Sequence, residues 1–144
     1  LLDYFKAAIP VGFAWFFLGM HGWPIIPIAL APVLGHAYSP WLRFRGGKAV
    51  AATFGVWTGL TLGAGPMLLG LMLGLMMASV VVSGWAVMLA MLSFGAFVWT
   101  QYAAYAPELM LIWLANLLIL GFKHRQDLVQ PPGIRPWLLS LVRR

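Results

Sequence analysis

From Ala49 to Phe122 the chain runs for 74 residues without a Lys or Arg and with a single acid, Glu108. Few folds can carry such a stretch. An ordinary soluble domain has about 25% charged residues, whereas this chain of 144 residues has 8% charged and 62% hydrophobic. A chain of this length cannot hide so much apolar surface from water, so lipid is the expected solvent. The net charge of +6 lies on a few residues near segment ends. That is the pattern of membrane loops and argues against a nucleic-acid partner. There is no cysteine, which excludes disulfides and thiol chemistry. The start at Leu1 carries no initiator Met and fits a signal peptide poorly. We therefore expect the numbering to begin inside a longer protein.

Breaking the apolar runs at charges, Pro and Gly clusters gives six segments, at roughly 7–20, 24–38, 49–63, 66–82, 84–100 and 107–122. Several are shorter than the roughly 20 residues that cross a bilayer unaided. Charge placement gives an independent count. Lys6, the group Arg43, Arg45 and Lys48, and the tail 123–144 should all face the cytoplasm. An even number of crossings must separate each pair of basic sites. Two crossings fit between Lys6 and Arg43, and four between Lys48 and Lys123. The expected fold class is an all-α, polytopic integral membrane protein with six helices in this chain. Residues 1–128 form its membrane domain, and 129–144 form a cytoplasmic or interfacial tail.

Small residues recur in these segments, among them the Gly70/Gly74 pair and the Ala and Gly positions of 49–63, and they predict close helix packing. Trp23, Trp41, Trp85, Trp99, Tyr102, Tyr105 and Trp137 sit near segment ends, where aromatic rings anchor at the membrane interface. Pro107-Glu108 reads as a helix start, with proline in the first turn and an acid at the positive dipole end. The tail begins QPPGIRP, which cannot be helical throughout, and ends WLLSLVRR, which suits an inner-membrane surface.

The chemistry concentrates in GHAYSPWLRFRGGK, residues 35–48. Gly46 and Gly47 permit positive φ and close backbone approach, so successive N–H groups can converge on an oxyanion. A helix starting near Lys48 adds its dipole, and Arg45 and Lys48 add full charges. This is not a phosphate-binding P-loop, since Leu42 and Ala49 stand where that motif needs Gly and Ser or Thr. The bland alternative is a basic membrane turn. His36 lies beside the loop, as a structural residue or as an anion contact. A second cluster, Lys123, His124 and Arg125, is followed by Asp127, one helical turn from His124 and able to hold its imidazole or pair with a nearby base. No His/Asp/Glu spacing suggests a metal site, and no serine-nucleophile motif occurs.

These residues resemble a known family. GHAYSPWLRFRGGKAVAATFG is similar to the glycine-lysine motif of the bacterial acyl-phosphate:glycerol-3-phosphate acyltransferases, the PlsY type. Gly35, His36, Phe44, Arg45, Gly46, Gly47, Lys48, Val50 and Ala51 fall in register. LLDYFKAAIP resembles the family's L-D-x-x-K-G-x-x-P segment through Asp3, Lys6 and Pro10, and KHRQDL its R-H-x-x-N-I motif through His124. Ala49 stands where the motif has Gly, Thr53 is displaced by one position, Asp127 replaces Asn, and the family's C-terminal Gly-x-Glu is absent.

The resemblance implies transfer of a fatty acyl group from acyl phosphate to glycerol 3-phosphate, giving lysophosphatidic acid for phospholipid biosynthesis at the bacterial inner membrane, with the active face cytoplasmic. It implies catalytic roles for Lys48 and His124. His36, Arg45, Gly46, Gly47, Lys123, Arg125 and Asp127 would bind substrate, with no cofactor and no metal. Besides acyl phosphate and glycerol 3-phosphate, membrane lipid is the expected partner. The family's first helix and its Ser/Arg and Gly-Asn-rich loop have no counterpart before Asp3. Seven helices are therefore expected in the intact protein, and no activity from residues 1–144 alone. The competing expectation is a non-catalytic paralogue that binds lipid or phosphate, or a small anion transporter.

Overall fold

The computed structural model describes residues 1–39 and 46–142. Helix α1 (Leu2–Gly12) continues into a π-helical turn, Phe13–Phe17. Then follow α2 (Ile25–Ala37), α3 (Val50–Thr61), α4 (Ala64–Ser79), α5 (Ser83–Tyr102) and α6 (Glu108–Lys123), and finally the short helices α7 (Arg125–Leu128) and α8 (Pro136–Val142). Among the described residues no strand forms; Val80 and Ile134 make an isolated antiparallel bridge. Each of the six apolar segments is helical, with ends within a few residues of expectation except at the first. That helix begins five residues earlier, because Asp3 sits favourably in its first turn instead of breaking it. Only α5, with 20 residues, is long and apolar enough to cross a membrane by itself among the described residues.

The helices alternate in direction. The start of α1, the end of α2, the start of α3, the α4–α5 turn and the end of α6 gather at one end. There Asp3 meets His36, Lys123 meets Ala37, and Val80 pairs with Ile134. At the other end the Glu108 carboxylate accepts a hydrogen bond of 2.8 Å from the Gly22 N–H. Glu108 thereby opens α6, as its Pro-Glu start predicts, and also ties down the α1–α2 turn.

Helix α3 runs through the middle. Its Trp57 ring is fully buried and meets Phe94 of α5 edge-on, with centroids 4.8 Å apart. Buried Thr53 contacts buried Asn116 of α6 at 3.5 Å, a polar link where hydrocarbon would offer neither side chain a partner. The closest helix approach is α1 on α3. A Cβ on Gly59 would lie 2.7 Å from the Gly12 amide nitrogen, and one on Gly55 would strike the Tyr4 carbonyl. The expectation for Gly70 and Gly74 is corrected here. Space beside Gly74 is open and Gly70 meets only the edge of Phe54. Close packing falls on Gly55 and Gly59, also four residues apart and among the small residues of 49–63 expected to pack closely. Outward, Phe5, Ile9, Phe17, Leu71, Leu75 and Leu118 are exposed, an apolar exterior that suits lipid.

The tail is tethered. The Val81 N–H donates to the Gly133 carbonyl and the Arg135 N–H to that of Ser79. Trp85 and Trp137 donate their indole N–H groups to the carbonyls of Gln130 and Ala78. Both rings are thus hydrogen-bonded to the protein.

Candidate active site

The glycine-lysine turn enters α3 through Ala49, whose φ of 60° and ψ of 8° are left-handed. Gly46 and Gly47 were read as permitting positive φ and close backbone approach; among the described glycines only Gly19 and Gly22 have positive φ. Close approach is what requires Gly46 and Gly47. A Cβ on Gly46 would run into the carbonyls of His36 and Ala37, and one on Gly47 into the His36 imidazole. The turn lies directly on the end of α2. The first amides of α3, at Val50 to Ala52, have no acceptor within the helix and point toward this end.

Two side-chain clusters flank the turn. On the α1–α2 side, His36 Nδ1 is 3.2 Å from Asp3 Oδ1. Asp3, Lys6, His36, Ser39 and Gly47 form the rim of a groove of about 750 Å³ that is walled lower down by Pro10, Ile28, Ala31 and Pro32. Pro10 and Pro32 have no N–H to give the carbonyls of Lys6 and Ile28, both of which line the groove. The groove is therefore polar at its mouth and apolar at depth, with isolated acceptors between.

On the α6–α7 side, Lys48 Nζ donates to Asp127 Oδ2 at 2.5 Å, and His124 Nδ1 lies 3.1 Å from the same oxygen. His124 is 2% exposed, and its Nε2 has no hydrogen-bond partner among the described residues. The hydrogen bond from Lys48, and then that from His124, hold the Asp127 carboxyl below the ordinary aspartate value of 3.8. Lys123 Nζ donates to the carbonyls of Ala37 at 2.8 Å and Gly46 at 3.0 Å, beneath the Tyr38 ring. It clamps the end of α2 to the turn.

The structure thus gathers His36, Gly46, Gly47, Lys48, Lys123, His124 and Asp127. It does not gather Arg125, which donates to the Phe122 carbonyl and lies over the Phe122 ring. Arg45 falls outside the described residues. Asp127 was expected to hold the His124 imidazole or pair with a nearby base; it does both, and the base is Lys48. Asp3 is absent from the expected site residues, although its place in the L-D-x-x-K segment was the available signal.

The fold and the site geometry define a class, an all-helical membrane protein with a glycine-lysine turn between two polar clusters at one end, and comparisons with known proteins make it specific. Residues 1–130 match the family model described as glycerol-3-phosphate acyltransferase, and the chain belongs to that family. It is of the PlsY type. It superimposes on the crystal structure of PlsY (YgiH), an integral membrane glycerol 3-phosphate acyltransferase in its glycerol 3-phosphate form, with a TM-score of 0.78 and 25% identity. That match covers 97% of this chain and 70% of the other. The lysophosphatidic acid form gives a TM-score of 0.77 at 26% identity, over 88% and 63%. Glycerol-3-phosphate acyltransferase 1 of Thermotoga maritima is 36% identical over 140 residues, covering 89% of this chain and 69% of its own length. The Prochlorococcus marinus (strain NATL1A) enzyme is 30% identical, over 90% and 66%. The chain spans about two-thirds of the length of these relatives.

Proposed function

We propose that this protein moves a fatty acyl group from acyl phosphate to glycerol 3-phosphate at the cytoplasmic face of a bacterial inner membrane, with six crossings in this chain. One observation carries the reading. The turn 46–48 is wedged against His36 on one side and held to α6 and α7 through Lys123 and Asp127 on the other, beside a groove with a polar mouth and an apolar floor. A phosphate fits the turn and its ammonium, and an acyl tail fits the apolar floor.

Acyl phosphate is an activated mixed anhydride, so the chemistry needs no covalent enzyme intermediate. The glycerol hydroxyl attacks the acyl carbonyl carbon, the carbonyl–phosphate C–O bond breaks, and phosphate leaves with the electron pair. The departing phosphate oxygen takes the hydroxyl proton as the bond breaks, so the step balances without a protein base. Lys48 and the amides near it offset the charge that grows on the carbonyl and phosphate oxygens. Before substrate arrives, His124, through Asp127, holds the position of Lys48.

The test is phosphate release from acyl phosphate that depends on glycerol 3-phosphate, with the natural protein in lipid. K48A should lower turnover by at least about a hundredfold, within the range for loss of one oxyanion donor, at unchanged expression. Unchanged turnover would eliminate the phosphate-site reading. A second reading, a non-catalytic phosphate-binding paralogue, draws on the neutralised state of Lys48; binding of glycerol 3-phosphate without turnover would favour it.

A further inference from the structure

Asp127 was expected to bind substrate, yet a carboxylate beside an incoming phosphate repels it. Its geometry suits another role. One oxygen, Oδ2, takes both Lys48 Nζ and His124 Nδ1. The Asp127 backbone is brought close by Gly84 at the first turn of α5: a Cβ on Gly84 would lie 2.5 Å from the Asp127 Cβ. Any side chain at position 84 would push Asp127 away, so α7 is seated with its carboxylate on Lys48.

Among the described residues, four other groups that can carry positive charge are engaged elsewhere. Lys123 is on two carbonyls, Arg125 on the Phe122 carbonyl, Arg135 on the Val80 carbonyl, and His36 on Asp3. Helix α5, which sets Gly84 against Asp127, carries no charged residue. The Lys48 side chain is about half exposed, and its ammonium has three donors of which Asp127 uses one. It remains accessible from outside while neutralised from inside.

Building on the phosphate-site reading above, we propose that Asp127 is a resident counter-ion that the phosphate of glycerol 3-phosphate must displace from Lys48. Asp127 then stays on His124. It is a specificity-determining residue. A weak or singly charged anion does not outcompete a carboxylate already in place, whereas a phosphate monoester with two charges does. The cost of displacement lowers the affinity of the turn for every phosphate, that of substrate and product alike.

The experiment measures glycerol 3-phosphate binding calorimetrically to the natural protein in lipid nanodiscs. D127N keeps the shape of the side chain and removes its charge. It should bind glycerol 3-phosphate at least about tenfold more tightly, on the order expected for one charge a few ångströms away in a partly exposed site. Equal or weaker binding overturns the proposal and returns Asp127 to the role of a substrate ligand. K48A bears on the underlying reading: if it binds as the wild type does, the phosphate site itself is elsewhere and the competition falls with it.

A readout on a protein that keeps Asp127 guards against a D127N variant that folds poorly. The chain has two aspartates, Asp3 and Asp127. With carboxyl-¹³C aspartate on a D3N background, the carboxylate stretch of Asp127 should shift when glycerol 3-phosphate is added, as Lys48 leaves it. Ligand binding with no shift of that band overturns the proposal.

Discussion

At the scale of single residues, the left-handed Ala49 is the clearest case of local chemistry meeting a position that glycine would fill more easily. A left-handed residue with a Cβ costs about 1–2 kcal/mol, partly offset here because the Ala49 methyl is buried and glycine is more mobile when unfolded. We expect A49G to hold or raise stability by up to about 1 kcal/mol. A49V should lose about 2 kcal/mol or more, since a β-branched residue tolerates positive φ worst. Thermal unfolding in detergent checks both. Asp127 gives a second residue-scale prediction. Its carboxyl is held below 3.8, so the unfolded chain binds that proton more readily than the folded one. The stabilisation is therefore present above about pH 4, near the ordinary aspartate value, and is lost as the pH falls through the lower folded value. In denaturant titrations across that window, D127N should remove this part of the acid sensitivity. These residues also mark where sequence reading stopped. The turn, both basic clusters and the link from Asp127 to His124 were legible as spacings. The capture of Lys48 by Asp127 was not, because 79 residues separate them and only the assembled bundle brings the turn before α3 beside α7.

At the scale of elements, the decisive contact is α1 on α3. Gly55 and Gly59 face the α1 backbone with no room for a side chain, while Gly74 faces open space. G55L or G59L should separate the two helices and cost about 3 kcal/mol or more, beyond ordinary overpacking because backbone is struck. G74L should stay within about 1 kcal/mol of the wild type. Equal losses at all three positions would show that the helices pack differently. The sequence identified small residues as packing sites; the glycines of 49–63 pack closely and the Gly70/Gly74 pair does not. Spacing of four residues recurs in α3 and α4 alike, and only the direction each face takes in the bundle separates them. The six helical segments were legible because charges, prolines and glycine clusters bound them. The π-helical turn at Phe13–Phe17 and the tethering of the tail to Ser79–Val81 carry no comparable local signal.

At the scale of the whole molecule, the alternation of helices places the ends of α2 and α6 and the start of α3 together, as the spacing of basic residues requires. The proposed topology is testable with single-cysteine reporters, which are unambiguous because the chain has no cysteine of its own. Ser39→Cys and Ser140→Cys should label from the cytoplasmic side, and Trp23→Cys from the opposite side. Labelling of positions 39 and 140 from opposite sides would sink the arrangement. The clamp made by Lys123 has a kinetic consequence. Its ammonium rests on two carbonyl dipoles and, among the described residues, no carboxylate lies against it. The charge of Lys48 is cancelled within the protein, but that of Lys123 is not. At a distance, an approaching phosphate therefore senses Lys123 before it reaches Lys48. Such a field is screened over about 8 Å at physiological ionic strength. Salt should slow the association of glycerol 3-phosphate more than it speeds its departure, and Lys123 would hasten ligand arrival through a charge engaged in holding the fold together.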